Sequence, residues 1–252
     1  MEKVKFENER GLELLGNYWE AESDAGIVMS HGFTGDKTEW GYFDRVAEEL
    51  NEAGYNVLAF DFSGSGESDD EPLRIDNQVQ DLKSAIEYFE SRDIDRVGLY
   101  GHSQGGLVSL RNYDEDIETI FLTSPVTDSM PNYRQIRLDE KQREEVEEKG
   151  YWIKEREKGP RDQIVIDEEI IEEKESINQS ELLEGIECPI NIVHGNKDEV
   201  VPLESSESAV EKLETGELTT IQGLDHGYNE HIDRVARNAV EWFEENMPIS
   251  ET

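Results

Sequence analysis

Short apolar segments alternate with longer amphipathic segments along most of this chain, and this alternation strongly constrains its fold. The apolar segments are rich in β-branched residues and bounded by turn residues, which is typical of strands buried in a parallel sheet. They lie at residues 26–30, 56–61, 97–101, 119–123, 190–194 and 217–221. Helices are predicted at residues 40–53, 77–91, from 104 onward, 205–213 and 229–246. The pattern therefore predicts an α/β fold, with helices on both faces of a parallel sheet.

Two parts of the chain depart from this alternation. Residues 1–20 alternate apolar and polar positions around Arg10 and Gly11, which predicts an antiparallel hairpin at one sheet edge. Residues 126–185 are highly charged with a helical pattern, and we interpret them as a helical cap over one end of the sheet. The predicted organisation is a core of residues 1–125 and 186–252, with a cap insertion at residues 126–185.

The composition is strongly acidic. Asp and Glu number 61 against 24 Lys and Arg, which gives a formal net charge of -37. Because the apolar segments supply a core, we assign this charge to the surface, where it repels nucleic acids and anionic membranes. Neither is an expected partner. An acidic surface also repels itself at low ionic strength, and molar salt screens this repulsion, so the composition predicts a halophilic protein.

Cysteine content and hydropathy indicate the compartment. Cys188 is the single cysteine, which excludes a disulfide framework, and beside a predicted strand it is expected to be inert core packing. The first residues lack an apolar stretch of signal-peptide length, and no run of about 18 apolar residues occurs. We therefore expect a cytoplasmic protein.

The predicted strand at residues 97–101 runs directly into the turn Gly-His-Ser-Gln-Gly-Gly at residues 101–106. A Gly-x-Ser-x-Gly turn between a strand and a helix lifts the serine hydroxyl clear of the backbone. The glycines on either side allow neighbouring segments to approach closely. Ser103 is therefore the candidate nucleophile.

Three other predicted strands also end at residues that carry chemistry. The first is followed by His-Gly-Phe-Thr-Gly at residues 31–35, the strand at 190–194 by Asp198, and the last by His226. Active sites of open parallel sheets form at the carboxyl ends of the strands, so these residues are expected to meet Ser103. A serine hydroxyl needs a base, for which His226 is the candidate, and Asp198 is the candidate for orienting the imidazole.

Alternatives remain for the base and for the carboxylate. His231 competes with His226, although its predicted place inside the last helix keeps it from a strand end. Three carboxylates compete with Asp198, namely Glu199, Asp225 and Asp128. The remaining histidines are expected to be structural hydrogen-bonding residues: His31, His102 and His194.

Together these motifs resemble the α/β-hydrolase superfamily of serine hydrolases, in which the serine, the acid and the histidine follow in this chain order. The segment at residues 61–68 is similar to the loop after the fourth strand of that superfamily. The turns at residues 31–35, 101–106 and 194–202 look most like the cinnamoyl or feruloyl esterase branch and its monoacylglycerol-lipase-like relatives. The resemblance covers nearly the whole chain outside the insertion, and it implies a mostly parallel eight-stranded sheet with a cap.

The resemblance also implies a reaction, which is hydrolysis of carboxylic esters through an acyl-enzyme intermediate. It places the two backbone donors of the oxyanion hole at Phe33 and Gln104, and the Phe33 side chain is also a candidate pocket wall. Amide or thioester hydrolysis, and a non-catalytic ligand-binding role, remain as alternatives. No metal or cofactor is expected, since no metal-ligand spacing and no phosphate-binding loop occurs.

The substrate is expected to be a small molecule. Because the acidic surface disfavours anions, we expect a neutral, partly apolar ester with a small or medium acyl or aryl group. The cap aromatics Tyr133, Tyr151 and Trp152 are candidate pocket residues, with packing inside the cap as the alternative role.

Overall fold

The computed structural model describes residues 1–157, 159–228 and 230–249. Numbered in chain order, the strands of the main sheet are β1 (Glu2–Glu7), β2 (Glu13–Trp19), β3 (Ala25–Ser30), β4 (Asn56–Phe60), β5 (Arg96–His102), β6 (Ile117–Thr123), β9 (Ile190–Gly195) and β10 (Gly216–Ile221). Their order across the sheet is β1-β2-β4-β3-β5-β6-β9-β10. The strands from β4 to β10 in this order run parallel to one another, while β2 is antiparallel to both of its neighbours. The predicted hairpin thus lies at the β1 edge.

Helices cover both faces of this sheet. They are α1 (Tyr42–Glu52), α2 (Ile75–Glu90), α3 (Gln104–Arg111), α8 (Leu203–Val210) and α9 (Ile232–Asn246). Successive residues of a strand point to opposite faces. In β3, Ile27 and Met29 pack with α1 and α9, whereas Val28 packs with α2, α3 and α8. The predicted fold class, a mostly parallel eight-stranded sheet between two helical layers, is confirmed.

Four helix starts differ from the sequence prediction by two or three residues, since α2 and α8 begin two residues early and α1 and α9 begin late. The helix predicted from residue 40 begins at Tyr42, because Trp40 (φ +58°) and Gly41 (φ +94°) are left-handed and belong to the 3₁₀ turn Glu39–Gly41. The last helix begins at Ile232 and not at Asn229, which lies outside the described residues. The expectation that His231 lies inside this helix is wrong, because its N–H closes a turn onto the Tyr228 carbonyl before the helix starts.

The insertion contains two strands as well as helices. Its elements are α4 (Tyr133–Arg137), α5 (Glu140–Lys149), β7 (Tyr151–Glu155), β8 (Gln163–Asp167), α6 (Glu169–Glu175) and α7 (Gln179–Leu183). Four of these six elements are helices, and the two strands were not predicted from the sequence. Gly150 (φ +76°) ends α5, and β7 then pairs antiparallel with β8. In β8, Ile164 and Ile166 are buried while Val165 is exposed, which is the period of two that a strand requires.

The insertion shares a hydrophobic core with the sheet. Tyr133, Trp152 and Ile166 of the insertion belong to the same buried cluster as the inner residues of α2 and α3. A backbone hydrogen bond also joins the Leu73 N–H to the Val165 carbonyl, at 2.9 Å. This packing fixes the insertion to the sheet on its α2 side. In the part of the chain that the structure describes, no helix combines the length and the apolarity needed to cross a membrane.

Candidate active site

Ser103 lies at the sharp turn between β5 and α3. Its backbone is left-handed in φ (φ +53°, ψ -116°), a conformation that L-residues rarely adopt. Two backbone hydrogen bonds tie it to β6 and the residues that follow: the Ser103 N–H donates to the Thr123 carbonyl at 2.9 Å, and the Val126 N–H donates to the Ser103 carbonyl at 3.0 Å. The strain is thus maintained by β6 and the residues after it.

The glycines of this turn leave space that a side chain would fill. A Cβ atom at Gly105 would lie 2.0 Å from the Ser30 carbonyl oxygen, and one at Gly101 would lie 2.7 Å from the Gly105 oxygen. Both distances are far below van der Waals contact. The Gly-x-Ser-x-Gly sequence therefore allows β3, β5 and α3 to approach closely around the serine.

Ser103, His226 and Asp198 form one hydrogen-bonded line. His226 Nε2 lies 3.0 Å from Ser103 Oγ, and His226 Nδ1 lies 2.8 Å from Asp198 Oδ2. Because a carboxylate only accepts hydrogen bonds, Nδ1 carries the ring proton and donates it to Asp198. Nε2 then directs a lone pair toward the serine hydroxyl, which is the tautomer that a general base requires.

The Asp198 carboxylate is buried but well supplied with donors. Its side chain has no solvent exposure, and Oδ1 accepts hydrogen bonds from the N–H groups of Val200 and Val201, at 2.8 and 2.9 Å. Burial alone would raise the pKa of this carboxyl, but the contacts with His194, His226 and Val201 outweigh it and hold the pKa well below its ordinary value. Asp198 is therefore a carboxylate at any pH near neutral.

The competing residues lie elsewhere. Asp198 is the carboxylate that contacts His226, while Glu199 and Asp128 are exposed and Asp225 accepts from the Gly227 N–H. His31 and His194 are fully buried and hydrogen-bonded.

His102 packs directly behind His226, with their ring centroids 4.9 Å apart. Its Nδ1 lies 2.5 Å from the Tyr228 hydroxyl, and burial holds the pKa of His102 well below its ordinary value. The ring is therefore neutral, so it adds no positive charge beside His226.

Two backbone N–H groups, of Gln104 and Phe33, are the candidates for holding an oxyanion near Ser103. Gln104 is the first residue of α3, where an N–H group has no partner inside the helix. Phe33 belongs to the turn after β3, and its neighbour Gly32 abuts the serine, since a Cβ there would lie 3.3 Å from Ser103 Cβ. The turn is closed by the Gly35 N–H, which donates to the Gly32 carbonyl, so the Phe33 N–H is not used for that purpose.

Glu39 holds this turn through a side-chain hydrogen bond, a contact that the sequence did not indicate. Its side chain is buried, and Oε1 accepts from the Gly32 N–H at 2.5 Å. Burial raises the pKa of Glu39 to about 8, so the carboxyl is mainly protonated at neutral pH. A buried glutamate one residue before an exposed tryptophan has no distinctive sequence pattern, and only the fold shows its contact with Gly32.

The cap aromatics occupy different environments. Tyr133 and Trp152 are buried in the main apolar cluster, and Tyr151 is half-buried with its ring 5.9 Å from Lys149 Nζ. Burial raises the pKa of Tyr133 to about 12. The Phe33 ring is half-buried and packs against the same cluster.

Two lysines of the insertion face the Phe33 ring, and these too were missed. Lys174 Nζ, from α6, lies 4.5 Å from the ring centroid, and Lys154 Nζ, from β7, lies 5.7 Å from it. Lys174 stands three and four residues after the buried Ile171 and Ile170, so it occupies an inward position of the helix. This spacing predicts a buried position for Lys174, but a lysine among glutamates is more typical of a solvent-exposed helix face.

The arrangement can perform nucleophilic chemistry with a neutral base. A hydroxyl, an imidazole of defined tautomer and a buried carboxylate are in contact, and the amides of Gln104 and Phe33 are the candidate oxyanion donors. Residues 1–157, 159–228 and 230–249 include no group of three or more His, Cys, Asp or Glu side chains placed to hold a metal ion. Cys188 is buried, and its burial raises the pKa of the thiol to about 12.

Comparison with known proteins gives a family and a set of structural relatives. A sequence model described as the alpha/beta hydrolase family matches residues 27–238. A 2-hydroxy-6-oxononadienedioate/2-hydroxy-6-oxononatrienedioate hydrolase of Escherichia coli O139:H28 is 32% identical over 115 residues, which are 43% of this chain and 39% of that protein. The chain thus spans less than half the length of the curated relatives it matches.

Solved structures resemble the chain over nearly its whole length. Est1E from Butyrivibrio proteoclasticus, solved with ferulic acid, has a TM-score of 0.79 at 22% identity and covers 97% of this chain and 99% of its own. A monoacylglycerol lipase of Paleococcus ferrophilus has a TM-score of 0.71 at 20% identity, with 98% and 100% covered. The resemblance drawn from the three turns is confirmed at the level of family and fold. This chain belongs to the α/β-hydrolase family.

Proposed function

We propose that this protein is a serine esterase that hydrolyses carboxylic esters through an acyl-enzyme intermediate. The observation that carries the proposal is the continuous contact from Ser103 Oγ through His226 to the buried Asp198 carboxylate, at 3.0 and 2.8 Å. Each residue meets a need of the one before it. His226 is the base that the serine hydroxyl requires, and Asp198 fixes the tautomer that this base requires.

Acylation begins with attack of Ser103 Oγ on the ester carbonyl carbon. The hydroxyl proton moves to His226 Nε2 as the new C–O bond forms, and the Asp198 carboxylate stabilises the resulting imidazolium. The oxygen of the tetrahedral intermediate accepts hydrogen bonds from the N–H groups of Phe33 and Gln104, each typically worth about 3 kcal/mol. The imidazolium then gives its proton to the departing alcohol, and the ester C–O bond breaks.

Deacylation repeats these steps with water. His226 takes a proton from the water molecule, the hydroxyl oxygen attacks the acyl carbon, and the carboxylic acid leaves as Ser103 recovers its proton. His102, which packs behind His226, stays neutral. The His226 imidazolium is therefore the one positively charged ring that forms during the cycle. Small to medium acyl or aryl esters are the proposed substrates.

A panel of 4-nitrophenyl esters of increasing acyl length, assayed in molar KCl, tests the proposal. We expect wild-type turnover, and a fall in kcat of about 10⁴-fold or more in Ser103→Ala. The control is Ser129→Ala, which removes a hydroxyl of the cap insertion outside the hydrogen-bonded line and should leave turnover intact. Equal rates in wild type and Ser103→Ala would contradict the proposal.

The leaving group is tested in the same way. Matched 4-nitroanilides and thioesters present the same acyl groups to the same serine. An ester preference in kcat/KM supports the proposal, and faster cleavage of the amide or thioester would assign the site to that alternative.

A further inference from the structure

Lys174 carries a buried amino group that has no counter-ion among the described residues. It is 3% exposed, and its Nζ forms no hydrogen bond or ion pair with the side chains that the structure describes. Two aromatic faces lie close to it, with the Phe33 centroid at 4.5 Å and the Tyr133 centroid at 5.3 Å. Burial of an ammonium costs several kcal/mol, and contact with aromatic faces offsets about 2 kcal/mol of this.

Lys154 supplies a second ammonium on the same ring. Its side chain is exposed, and its Nζ lies 5.7 Å from the Phe33 centroid. One of the three ammonium N–H groups donates to Thr34 Oγ1 at 2.8 Å, which leaves two for a ligand. No described carboxylate pairs with it either. Two elements of the insertion, α6 and β7, therefore bring positive charge to one ring.

This missing counter-ion does not result from a shortage of acidic residues. The chain carries 61 of them, and Lys174 has Glu173 and Glu175 as its immediate neighbours in sequence. Glu173, however, accepts from the backbone N–H groups of Ile75 and Asp76. Burial lowers the pKa of Lys174 to about 7, and although Glu173 opposes this, Arg137 and Lys154 lower it further. The surroundings of the ammonium are net positive.

Phe33 connects the two lysines to the candidate active site. Phe33 bears the lysine contacts on its ring and offers its N–H as an oxyanion donor, and the adjoining Gly32 abuts Ser103. A substrate whose carbonyl oxygen accepts from the Phe33 N–H would lie against the residue whose ring both ammonium groups contact. A carboxylate on that substrate would supply the anion that the described side chains do not.

We propose that Lys174 and Lys154 form an anion subsite, and that the substrate is an ester with a carboxylate on its acyl group, as in the half-ester of a dicarboxylic acid. The inference rests on the proposed esterase function. It replaces the neutral substrate expected from the net charge. In salt-rich solution the acidic surface is screened within about 3 Å, whereas charges inside the site act at close range.

The test compares monoethyl glutarate with ethyl pentanoate, which match in acyl length and differ in the carboxylate. We expect wild type to favour the half-ester in kcat/KM by about tenfold or more, measured by chromatography of the released acid at one fixed KCl concentration. Lys174→Met should lower this preference to about one, a loss of about tenfold or more, and Lys154→Met should lower it less. Because the preference is a ratio within one preparation, loss of folded protein cancels from it.

The exposed cap residue Lys141 supplies the matched control, since Lys141→Met removes an equal charge from the insertion and should keep the wild-type preference. Equal use of both esters by wild type, or an unchanged preference in Lys174→Met, would overturn the anion subsite and leave the esterase proposal standing.

Binding separates the two proposals if no ester is hydrolysed. Calorimetric titration with glutarate, against pentanoate as the monoanionic comparison, needs no turnover. Tighter binding of glutarate that is lost in Lys174→Met supports the subsite even if the esterase proposal fails. Absence of glutarate binding to wild type overturns the subsite.

Discussion

At the scale of single residues, the role proposed for Asp198 depends on the geometry of its contact with His226 and not on its charge alone. An amide in place of the carboxylate keeps the shape of the side chain, but it can donate a hydrogen bond to Nδ1 and so favour the wrong tautomer of the imidazole. The neighbouring Glu199 is exposed, and its carboxylate lies outside this contact.

We therefore expect Asp198→Asn to lower kcat for a 4-nitrophenyl ester by about 10⁴-fold, with little change in KM. Glu199→Gln, the matched control one position along the chain, should retain wild-type kcat. Steady-state kinetics of both variants measure the difference. A loss of less than about tenfold in Asp198→Asn would show that His226 does not depend on this carboxylate.

Gly105 allows a test in which two physical effects have opposite signs. It lies inside α3 without a left-handed φ, so alanine should favour the helix by about 1 kcal/mol if propensity decides. A Cβ atom would, however, lie 2.0 Å from the Ser30 carbonyl oxygen. We expect Gly105→Ala to lower the free energy of unfolding by about 2 kcal/mol or more in urea titration. A stabilised variant would contradict the close approach of β3 to α3.

At the scale of elements, sequence patterns predicted the strands of the sheet closely and the insertion poorly. The buried strands have short β-branched runs, and the glycines after β3 and β5 mark the strand ends where Phe33 and Ser103 lie. In the insertion, charged residues dilute the apolar pattern, so the strand period of Ile164, Val165 and Ile166 was not recognised. Lys174 was missed for a related reason: its buried surroundings come from distant segments.

The turn between β3 and α1 should make stability depend on pH. The pKa of Glu39 is raised from 4.5 to about 8 in the folded protein, so between these values the unfolded chain loses a proton that the folded chain keeps. The stability contributed by this residue therefore falls as the pH rises, by at most about 1.4 kcal/mol per pH unit, until it levels off above pH 8.

Glu39→Gln retains an oxygen for the Gly32 N–H and removes the titration. We expect the free energy of unfolding of this variant, relative to wild type, to increase between about pH 5 and pH 8. Urea titrations across this range measure it, with the exposed Glu199→Gln as the control. A constant difference between variant and wild type across the range would refute the assignment of the shift to Glu39.

At the scale of the whole molecule, the formal net charge of -37 sets the expected response to salt. Repulsion among carboxylates opposes the compact state, and the effect shrinks as the screening length falls from about 10 Å in dilute salt to about 3 Å in molar salt. The halophilic character remains a prediction from composition.

We expect molar KCl to raise the free energy of unfolding by about 2 kcal/mol or more, which corresponds to roughly 4–8 °C in Tm for a chain of this size. A variant in which three exposed glutamates of α5 are replaced, Glu144→Gln, Glu147→Gln and Glu148→Gln, should show a smaller salt dependence. Calorimetric melting in low and molar KCl checks both. A Tm that is the same in both salts would contradict the halophilic interpretation.

The most direct test of the central claim, that Ser103 is an activated nucleophile, is covalent labelling with a fluorophosphonate followed by intact mass and peptide mapping. We predict one adduct per chain, located on Ser103 and absent from Ser103→Ala. Labelling of wild type that persists in Ser103→Ala, or no labelling of the folded wild-type protein in molar KCl, would contradict the claim.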